Sequence, residues 1–186
     1  MLDHFGLLAP FYEKVIPPPD VSRLRHLLKL PTAGRLLDAG GGTGRVASQL
    51  QTLVGELVLT DVSAGMLRQA RQKAEIEISQ AHAERLPFPD DSFDRVLVVD
   101  ALHHFCNQEL AIADLLRVLK PGGRLVIEEP DLNRFSVKMI AMAEKIALMR
   151  SHFYYPAEIS AIVANHGHKA RIESDDQVSV WVVVDK

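Results

Sequence analysis

The feature that most constrains the fold is a glycine-rich stretch that follows a short apolar run. Residues 36–39 are apolar except for Asp38, which predicts a buried strand. Four of the five residues 40–44 are glycine, which predicts a turn too tight for side chains. Apolar residues then recur at helical spacing from Val46 to Val54. A strand, a glycine turn and a helix in this order predict bare backbone N–H groups that face a ligand at the positive end of the helix.

The spacing of these glycines narrows the class of ligand. Gly40, Gly42 and Gly44 form the pattern G-x-G-x-G. The dinucleotide-binding fingerprint requires glycine or alanine one position later, for close packing of helix on strand, and Arg45 stands there. The pattern therefore argues against a nicotinamide-dependent oxidoreductase. A tight turn that binds no ligand remains the alternative, and the glycine loop alone does not distinguish the two. Further motifs in the chain are needed for that.

Composition excludes several other classes. The 186 residues suffice for one domain, and a formal net charge of −3 gives no general attraction to nucleic acid or anionic membranes. A single cysteine, Cys106, excludes an internal disulfide and a cysteine zinc cluster. The first residues lack the features of a signal peptide, and no apolar run is long enough for a membrane span. We expect a cytoplasmic protein that is a monomer or a homodimer.

The remaining chain alternates strands and helices. After the first strand, strands are predicted at 56–60, 76–81, 94–100 and 124–128, with helices at 64–74, 112–119, 135–146 and 159–166 between or after them. Two last strands, 168–174 and 178–184, are joined by a short connection and should form an antiparallel hairpin. This pattern predicts an α/β fold, a Rossmann-like doubly wound sheet of seven mostly parallel strands with a terminal antiparallel hairpin.

The sequence predicts one domain over residues 1–186. Two cap helices are expected within residues 1–30, and a core over 35–186 that includes a small cap at about 131–156. In a parallel sheet, ligands bind beyond the carboxyl ends of the strands. Candidate site residues therefore follow the strands, at 38–44, 61, 82–84, 100–104 and 128–131.

The chain contains five motifs, in this order: LLDAGGGTGR, LTDVSAGML, AHAERLPFPDDSFD, VVDALHHF and LRVLKPGGRLVIEEP. Together they closely resemble the class I S-adenosylmethionine-dependent methyltransferases, in the branch that includes the ubiquinone and menaquinone biosynthesis C-methyltransferases. The resemblance implies transfer of a methyl group from S-adenosyl-L-methionine to a small, partly apolar or aromatic acceptor, with S-adenosyl-L-homocysteine as product. A protein that binds this cofactor without catalysis would carry the same motifs, and it remains the main alternative.

The resemblance also assigns residues to the parts of the cofactor. It places the methionine end near the glycine loop and Asp38, the ribose at Asp61, and the adenine beside Val62 and Met66. His82 stands where the family has an aspartate that accepts from the adenine amino group, so either its ring or the backbone of Ala83 would contact adenine. The full predicted cofactor set is Asp38, Ala39, Gly40, Gly42, Gly44, Asp61, Val62, Met66, His82, Ala83, Glu84, Asp100 and Ala101.

These residues also have plainer interpretations. Asp38 and Asp61 could serve as turn or helix caps, and Val62 and Met66 could be ordinary core residues. The pair His103-His104 resembles a family stretch beside the cofactor, and we expect His103 to face the pocket and His104 to be structural. Adjacent histidines point in different directions and lack a third ligand nearby, so no metal site is predicted.

The methyl acceptor has fewer candidate contacts. A fixed general base is not required when the methyl group is already activated, and His103 and Tyr12 are the only catalytic candidates. Aromatic residues in the segments that could roof the site would contact the acceptor, unless they simply pack in the core. The predicted acceptor set is Phe11, Tyr12, His103, Phe153 and Tyr154.

Overall fold

The computed structural model describes residues 19–73, 76–134, 137–138, 151–175 and 178–186. The described helices are α1 (Val21–Leu28), α2 (Ala47–Leu50), α3 (Ala64–Ala70), α4 (Gln108–Val118) and α5 (Pro156–Asn165). The strands are β1 (Arg35–Ala39), β2 (Glu56–Asp61), β3 (Glu77–Gln80), β4 (Phe93–Val99), β5 (Leu119–Pro130), β6 (Ala170–Ser174) and β7 (Ser179–Asp185). Short 3-10 turns cover Gln51–Leu53 and Leu102–His104.

The seven strands form one sheet in the order β3-β2-β1-β4-β5-β7-β6. Strands β1 to β5 run parallel, and β7 lies antiparallel between β5 and β6. The predicted fold class is thereby confirmed, including its terminal hairpin. Strand β1 lies between β2 and β4, so the chain order reverses there and leaves a crevice at the carboxyl ends of these strands.

Each face of the sheet is covered by its own apolar layer. In β4, Val96 and Val98 belong to the core that includes residues of α4 and α5, whereas Leu97 belongs to the core with α1, α2 and α3. Successive strand residues point to opposite faces, so a strand covered on both sides is apolar throughout. This explains why the continuous run 96–99 predicted a buried parallel strand.

Two elements differ from the sequence prediction. The helix expected through Val54 is the four-residue α2, followed by the 3-10 turn Gln51–Leu53. Strand β5 begins at Leu119 and includes residues 120–123, which precede the strand predicted at 124–128. The pairing of β4 with β5 changes register here: Phe93 pairs with Leu119 and Arg95 pairs with Arg124. Five residue positions of β5 therefore span the same distance along the sheet as two positions of β4. Residues 120–123 therefore form a bulge within β5 rather than a loop before it.

Some expectations fall outside the described residues. The N-terminal cap helix with Phe11 and Tyr12, and most of the helix predicted over 135–146, lie there. Among the helices of the described ranges, none combines the length and apolar character that crossing a membrane requires.

Candidate functional site

The glycine loop forms the floor of a cleft and is tied to the neighbouring strand. The N–H groups of Gly40 and Gly41 both donate to the Thr60 carbonyl, at 2.8 and 3.0 Å. The N–H of Gly42 donates to Asp61 Oδ2 at 3.0 Å. The expectation that bare N–H groups of this loop face a ligand is therefore wrong for these three groups. The helix that was expected to present its positive end to the ligand has only four residues and begins at Ala47, three positions after the last glycine of the loop.

Positive backbone angles explain why the loop requires glycine. Gly40, Gly42 and Gly44 have φ of 74°, 56° and 74°, a region that side chains disfavour. A Cβ on Gly44 would also lie 3.2 Å from Ala70 Cβ on α3, so the loop packs closely against that helix.

Two adjoining cavities lie above this loop. The larger is an open cleft of about 670 Å³, a volume that includes its solvent-exposed mouth. The smaller measures about 350 Å³ and shares Gly40, Gly42 and Asp100 with the larger. The larger is lined by Gly40, Gly42, Asp61, Val62, Met66, Ala81, Glu84, Asp100, Ala101, His104, Phe105 and Cys106. The smaller is lined by Asp38, Gly40, Gly41, Gly42, Thr43, Arg45, Val46, Val99 and Asp100.

Most of the predicted cofactor residues meet at these cavities. Those on the walls are Asp38, Gly40, Gly42, Asp61, Val62, Met66, Glu84, Asp100 and Ala101. Four others line neither cavity. Ala39 is fully buried in the core and Gly44 packs on α3, while Ala83 is buried beside the cleft. The His82 side chain is 66% exposed, and its Nδ1 lies 3.8 Å from Glu84 Oε2. The structure thus brings Ala81, rather than His82 or Ala83, to the cleft wall.

Asp38 is a buried carboxyl that faces the smaller cavity. It is 1% exposed, and its Oδ2 has no hydrogen-bond partner within the described residues. Burial raises the pKa of Asp38 to about 7; the Arg45 charge opposes this shift and the Asp61 charge adds to it. A buried carboxylate is costly unless a cation or a hydrogen-bond donor meets it. The position therefore suits a ligand that brings a positively charged or donating group.

Asp61 anchors the loop from the end of β2. Its Oδ1 accepts from the Ser63 N–H at 2.8 Å, while its Oδ2 accepts from Gly42. Ser63 in turn caps α3, because its hydroxyl accepts from the Met66 N–H at 3.2 Å. Asp61 thus holds the loop and the start of α3 together at the edge of the cleft.

Arg45 and Asp100 form an ion pair at the junction of the two cavities. Arg45 Nη2 donates to Asp100 Oδ2 at 3.3 Å, and both side chains are largely buried. Asp100 has a φ of 50°, which is unusual for a residue other than glycine. Burial and the Glu129 charge raise the pKa of Asp100, while Arg45 and His103 oppose the shift. The sequence analysis used Arg45 only as an argument against the dinucleotide fingerprint. Its position on the wall of the smaller cavity was not predicted.

The structure places His104, not His103, on the cleft wall. The expected roles of the two histidines are therefore reversed. His103 is 4% exposed; its Nδ1 lies 2.6 Å from Glu129 Oε2, and its ring stacks on Phe153 with centroids 4.2 Å apart. Burial, with a contribution from His103, lowers the pKa of His104 to about 3, so His104 is neutral near pH 7.

Of the aromatic residues predicted to contact the acceptor, Phe153 and Tyr154 line neither cavity, and Phe11 and Tyr12 lie outside the described residues. Phe153 stacks on His103, and Tyr154 packs against the core on the α4 and α5 side. Within the described ranges, no group of three or more His, Cys, Asp or Glu side chains could hold a metal ion. The cleft residues that sequence reasoning missed, Ala81, Phe105 and Cys106, adjoin predicted segments. Their only indication was that they follow β3 and the His-His pair.

Comparisons with known proteins agree with this geometry. Residues 37–127 match a family model described as a methyltransferase domain. Over 120 residues the chain is 45% identical to the ubiquinone/menaquinone biosynthesis C-methyltransferase of Stutzerimonas stutzeri, covering 59% of this chain and 44% of that protein. It is 39% identical over 135 residues to the protein of the same name from Pseudomonas fluorescens, covering 67% of this chain and 51% of that protein. The chain thus spans about half the length of these curated relatives.

Solved structures support the fold. A methyltransferase of Thermotoga maritima superposes with a TM-score of 0.81 at 22% identity, covering 98% of this chain and 97% of that chain. Phosphoethanolamine N-methyltransferase 2 of Haemonchus contortus, solved with S-adenosyl-L-methionine, gives 0.73 at 18% identity, covering 89% and 51%. At these identities the similarity concerns the fold alone. The family match and the two curated relatives confirm the resemblance drawn from the five motifs.

Proposed function

Because this chain carries a class I S-adenosylmethionine-dependent methyltransferase domain of the ubiquinone/menaquinone C-methyltransferase-like branch, we propose that it methylates a small acceptor of quinone type. The relatives are named for ubiquinone and menaquinone biosynthesis, and their acceptor chemistry is carried over here as a proposal. The observation that supports it most is the convergence of motif residues from β1, β2 and β4 on one cleft continuous with the cavity of Asp38.

The residues of the cleft suit the cofactor part by part. Val62 and Met66 offer apolar surface for adenine, together with Ala81. Asp61 stands at the end of β2, where a carboxylate can accept from ribose hydroxyls. Asp38, whose Oδ2 has no partner among the described residues, suits the ammonium of the methionine end, and Arg45 suits its carboxylate.

When bound, S-adenosylmethionine supplies an activated methyl group, because its sulfonium sulfur leaves as a neutral thioether. The work left to the protein is to orient the acceptor and exclude water. Phe105 and Ala101 present apolar surface on the wall near Asp100, which suits an apolar or aromatic acceptor. His104 lies on the same wall as a neutral ring, so it can take part in a hydrogen bond there but is poorly suited to act as a base. We extend the proposal to residues 1–186 as one methyltransferase domain.

Turnover is the test that separates catalysis from binding. We expect purified protein to form S-adenosylhomocysteine from S-adenosylmethionine labelled in its methyl group when a hydroquinone with an unsubstituted ring carbon is supplied. The label should move to carbon of the ring, as mass spectrometry of the product would show. Asp61→Ala should lower turnover by about 7- to 80-fold at a cofactor concentration near the parental Kd, whereas His82→Ala should keep it. A protein that binds S-adenosylhomocysteine but yields none with hydroquinones, phenols or amines would be a binding protein without catalysis.

A further inference from the structure

A buried set of hydrogen bonds holds one wall of the cleft from behind. Glu129, at the end of β5, is 4% exposed. Its Oε1 accepts from the Leu102 N–H at 2.8 Å, and its Oε2 lies 2.6 Å from His103 Nδ1. One carboxylate therefore contacts two successive residues of the 3-10 turn Leu102–His104. This turn belongs to the stretch from Ala101 to Cys106 that lines the cleft.

Gln108 joins the same turn to a distant part of the chain. Its Nε2 donates to the Leu102 carbonyl at 2.9 Å and to the His152 carbonyl at 2.5 Å. The His152 N–H donates back to the His103 carbonyl at 2.8 Å. Gln108 is 5% exposed, so both of its contacts are shielded from water.

Two further contacts complete the junction. The Phe153 ring stacks on His103 with an angle of 13° between the planes. The Ser151 hydroxyl lies 3.2 Å from Nδ1 of His104, which itself lines the cleft. Residues 151–153 thus contact the cleft wall through backbone, ring and hydroxyl groups, although they lie about 50 positions away in sequence.

The chemistry of these contacts indicates why polar groups are buried here. A 3-10 turn has few hydrogen bonds of its own; in this turn the His104 and Phe105 N–H groups donate to Ala101 and Leu102. Removing one partner of a buried polar contact leaves the other unsatisfied, at a cost of about 1–3 kcal/mol. Glu129 and Gln108 therefore fix the shape of the turn, because a departure from it would break one of these buried contacts.

We propose that Glu129 and Gln108 are positioning residues for the cleft: they hold the wall 101–106 in its binding shape and join residues 151–153 to it. A ligand that binds this wall then stabilises residues 151–153 as well, because the two share one set of hydrogen bonds. The inference rests on the proposed function, since it takes the ligand to be the cofactor. Neither residue touches the cleft, and each acts through the turn.

Gln108→Met tests the proposal, because methionine fills a similar volume but cannot donate to either carbonyl. In the parent, saturating S-adenosylhomocysteine should slow hydrogen exchange at the His152 amide. In the variant we expect this slowing to disappear and the Kd for S-adenosylhomocysteine to rise by about 5- to 20-fold, within the usual range of coupling between sites. Phe153→Leu is a second variant on a half-buried side chain, and it should change both readouts in the same direction without endangering the fold.

Glu158→Gln provides the matched control. Glu158 Oε2 accepts from the Tyr155 N–H at 2.7 Å, so it acts next to the same segment but caps α5 rather than supporting the cleft wall. We expect this variant to keep the parental Kd and the slowing at His152. If Gln108→Met or Phe153→Leu protein is folded and loses the slowing of exchange at His152 but keeps the parental Kd, the positioning role alone is overturned. A parent that fails to bind S-adenosylhomocysteine would overturn the proposed function and this inference together.

Discussion

Replacing Asp38 with asparagine tests whether a buried carboxyl is kept for a ligand although it destabilises the fold. The perturbation is nearly isosteric; it removes the charge and replaces one acceptor oxygen with an NH2 donor. Asp38 is suited to it because its side chain is buried and its Oδ2 has no hydrogen-bond partner within the described ranges. We expect asparagine to stabilise the protein without ligand and to weaken binding of the cofactor.

The magnitude follows from the pKa of Asp38, which burial raises from 3.8 to about 7. Each pKa unit between the folded and unfolded states corresponds to about 1.4 kcal/mol. A shift of about three units therefore means that the fully ionised Asp38 destabilises the fold by about 4 kcal/mol. Between pH 4 and 7 the folded protein holds a proton that the unfolded chain has lost. The free energy of unfolding therefore falls as pH rises through this window and levels off above pH 7.

Urea unfolding of parent and variant at pH 5.5 and pH 8 measures this effect. The stability advantage of Asp38→Asn should grow by about 2 kcal/mol between these values, because the Asp38 contribution changes over about 1.5 pH units there. Asp185→Asn is the control of opposite sign, since hydrogen bonding to Arg124 lowers the pKa of Asp185. That variant should lose stability.

Ligand binding completes the test of Asp38. At pH 8, Asp38→Asn should bind S-adenosylhomocysteine more weakly than the parent by about 1.5–3 kcal/mol, the range for hydrogen bonds to a charged group. The parental affinity should rise from pH 6 to pH 8 as Asp38 ionises, and the variant should lack this increase. Equal affinity, together with a stability difference that does not change with pH, would refute the reasoning.

The remaining predictions concern the loop and the adenine end. Asp61→Ala should weaken S-adenosylhomocysteine binding by about 1.5–3 kcal/mol in calorimetry; unchanged affinity in folded protein would make Asp61 only an anchor of the loop. His82→Ala should give a curve of affinity against pH that superimposes on that of the parent, because the ring is 66% exposed and off the cleft wall; a changed curve would restore adenine recognition by the ring. Gly44→Ala should lower the free energy of unfolding by about 1–2 kcal/mol more than Gly42→Ala does. The reason is that a Cβ at Gly44 meets Ala70, while a Cβ at Gly42 meets nothing within 4 Å. Equal losses in the two variants would refute this packing argument.

The sheet could be predicted because its strands follow from local patterns. The run 96–99 is apolar throughout because it is covered on both faces, and the last two strands had to be antiparallel because their connection is short. The bulge in β5 could not be predicted. It depends on how Leu119 and Arg124 pair with another strand, and this register is a tertiary property.

The candidate site was predicted in part for a similar reason. Position at a strand end brought Asp38, Asp61 and Asp100 to the cavities. The orientation of single side chains within a turn was not accessible, so His103 and His104 were interchanged. Glu129 holds His103 inward through a contact 26 residues away in sequence, and no local pattern carries that information.

Calorimetric titration with S-adenosylhomocysteine, with NAD as the comparison, tests the central claim most directly. We expect one S-adenosylhomocysteine to bind per chain and, at 100 times its Kd, a gain of roughly 2.7 kcal/mol in the free energy of unfolding. We expect no binding of NAD, because Arg45 replaces the small residue of the dinucleotide fingerprint and occupies the smaller cavity wall. Binding and stabilisation by NAD, with no heat and no stabilisation from S-adenosylhomocysteine, would contradict the assignment of this cleft to S-adenosylmethionine.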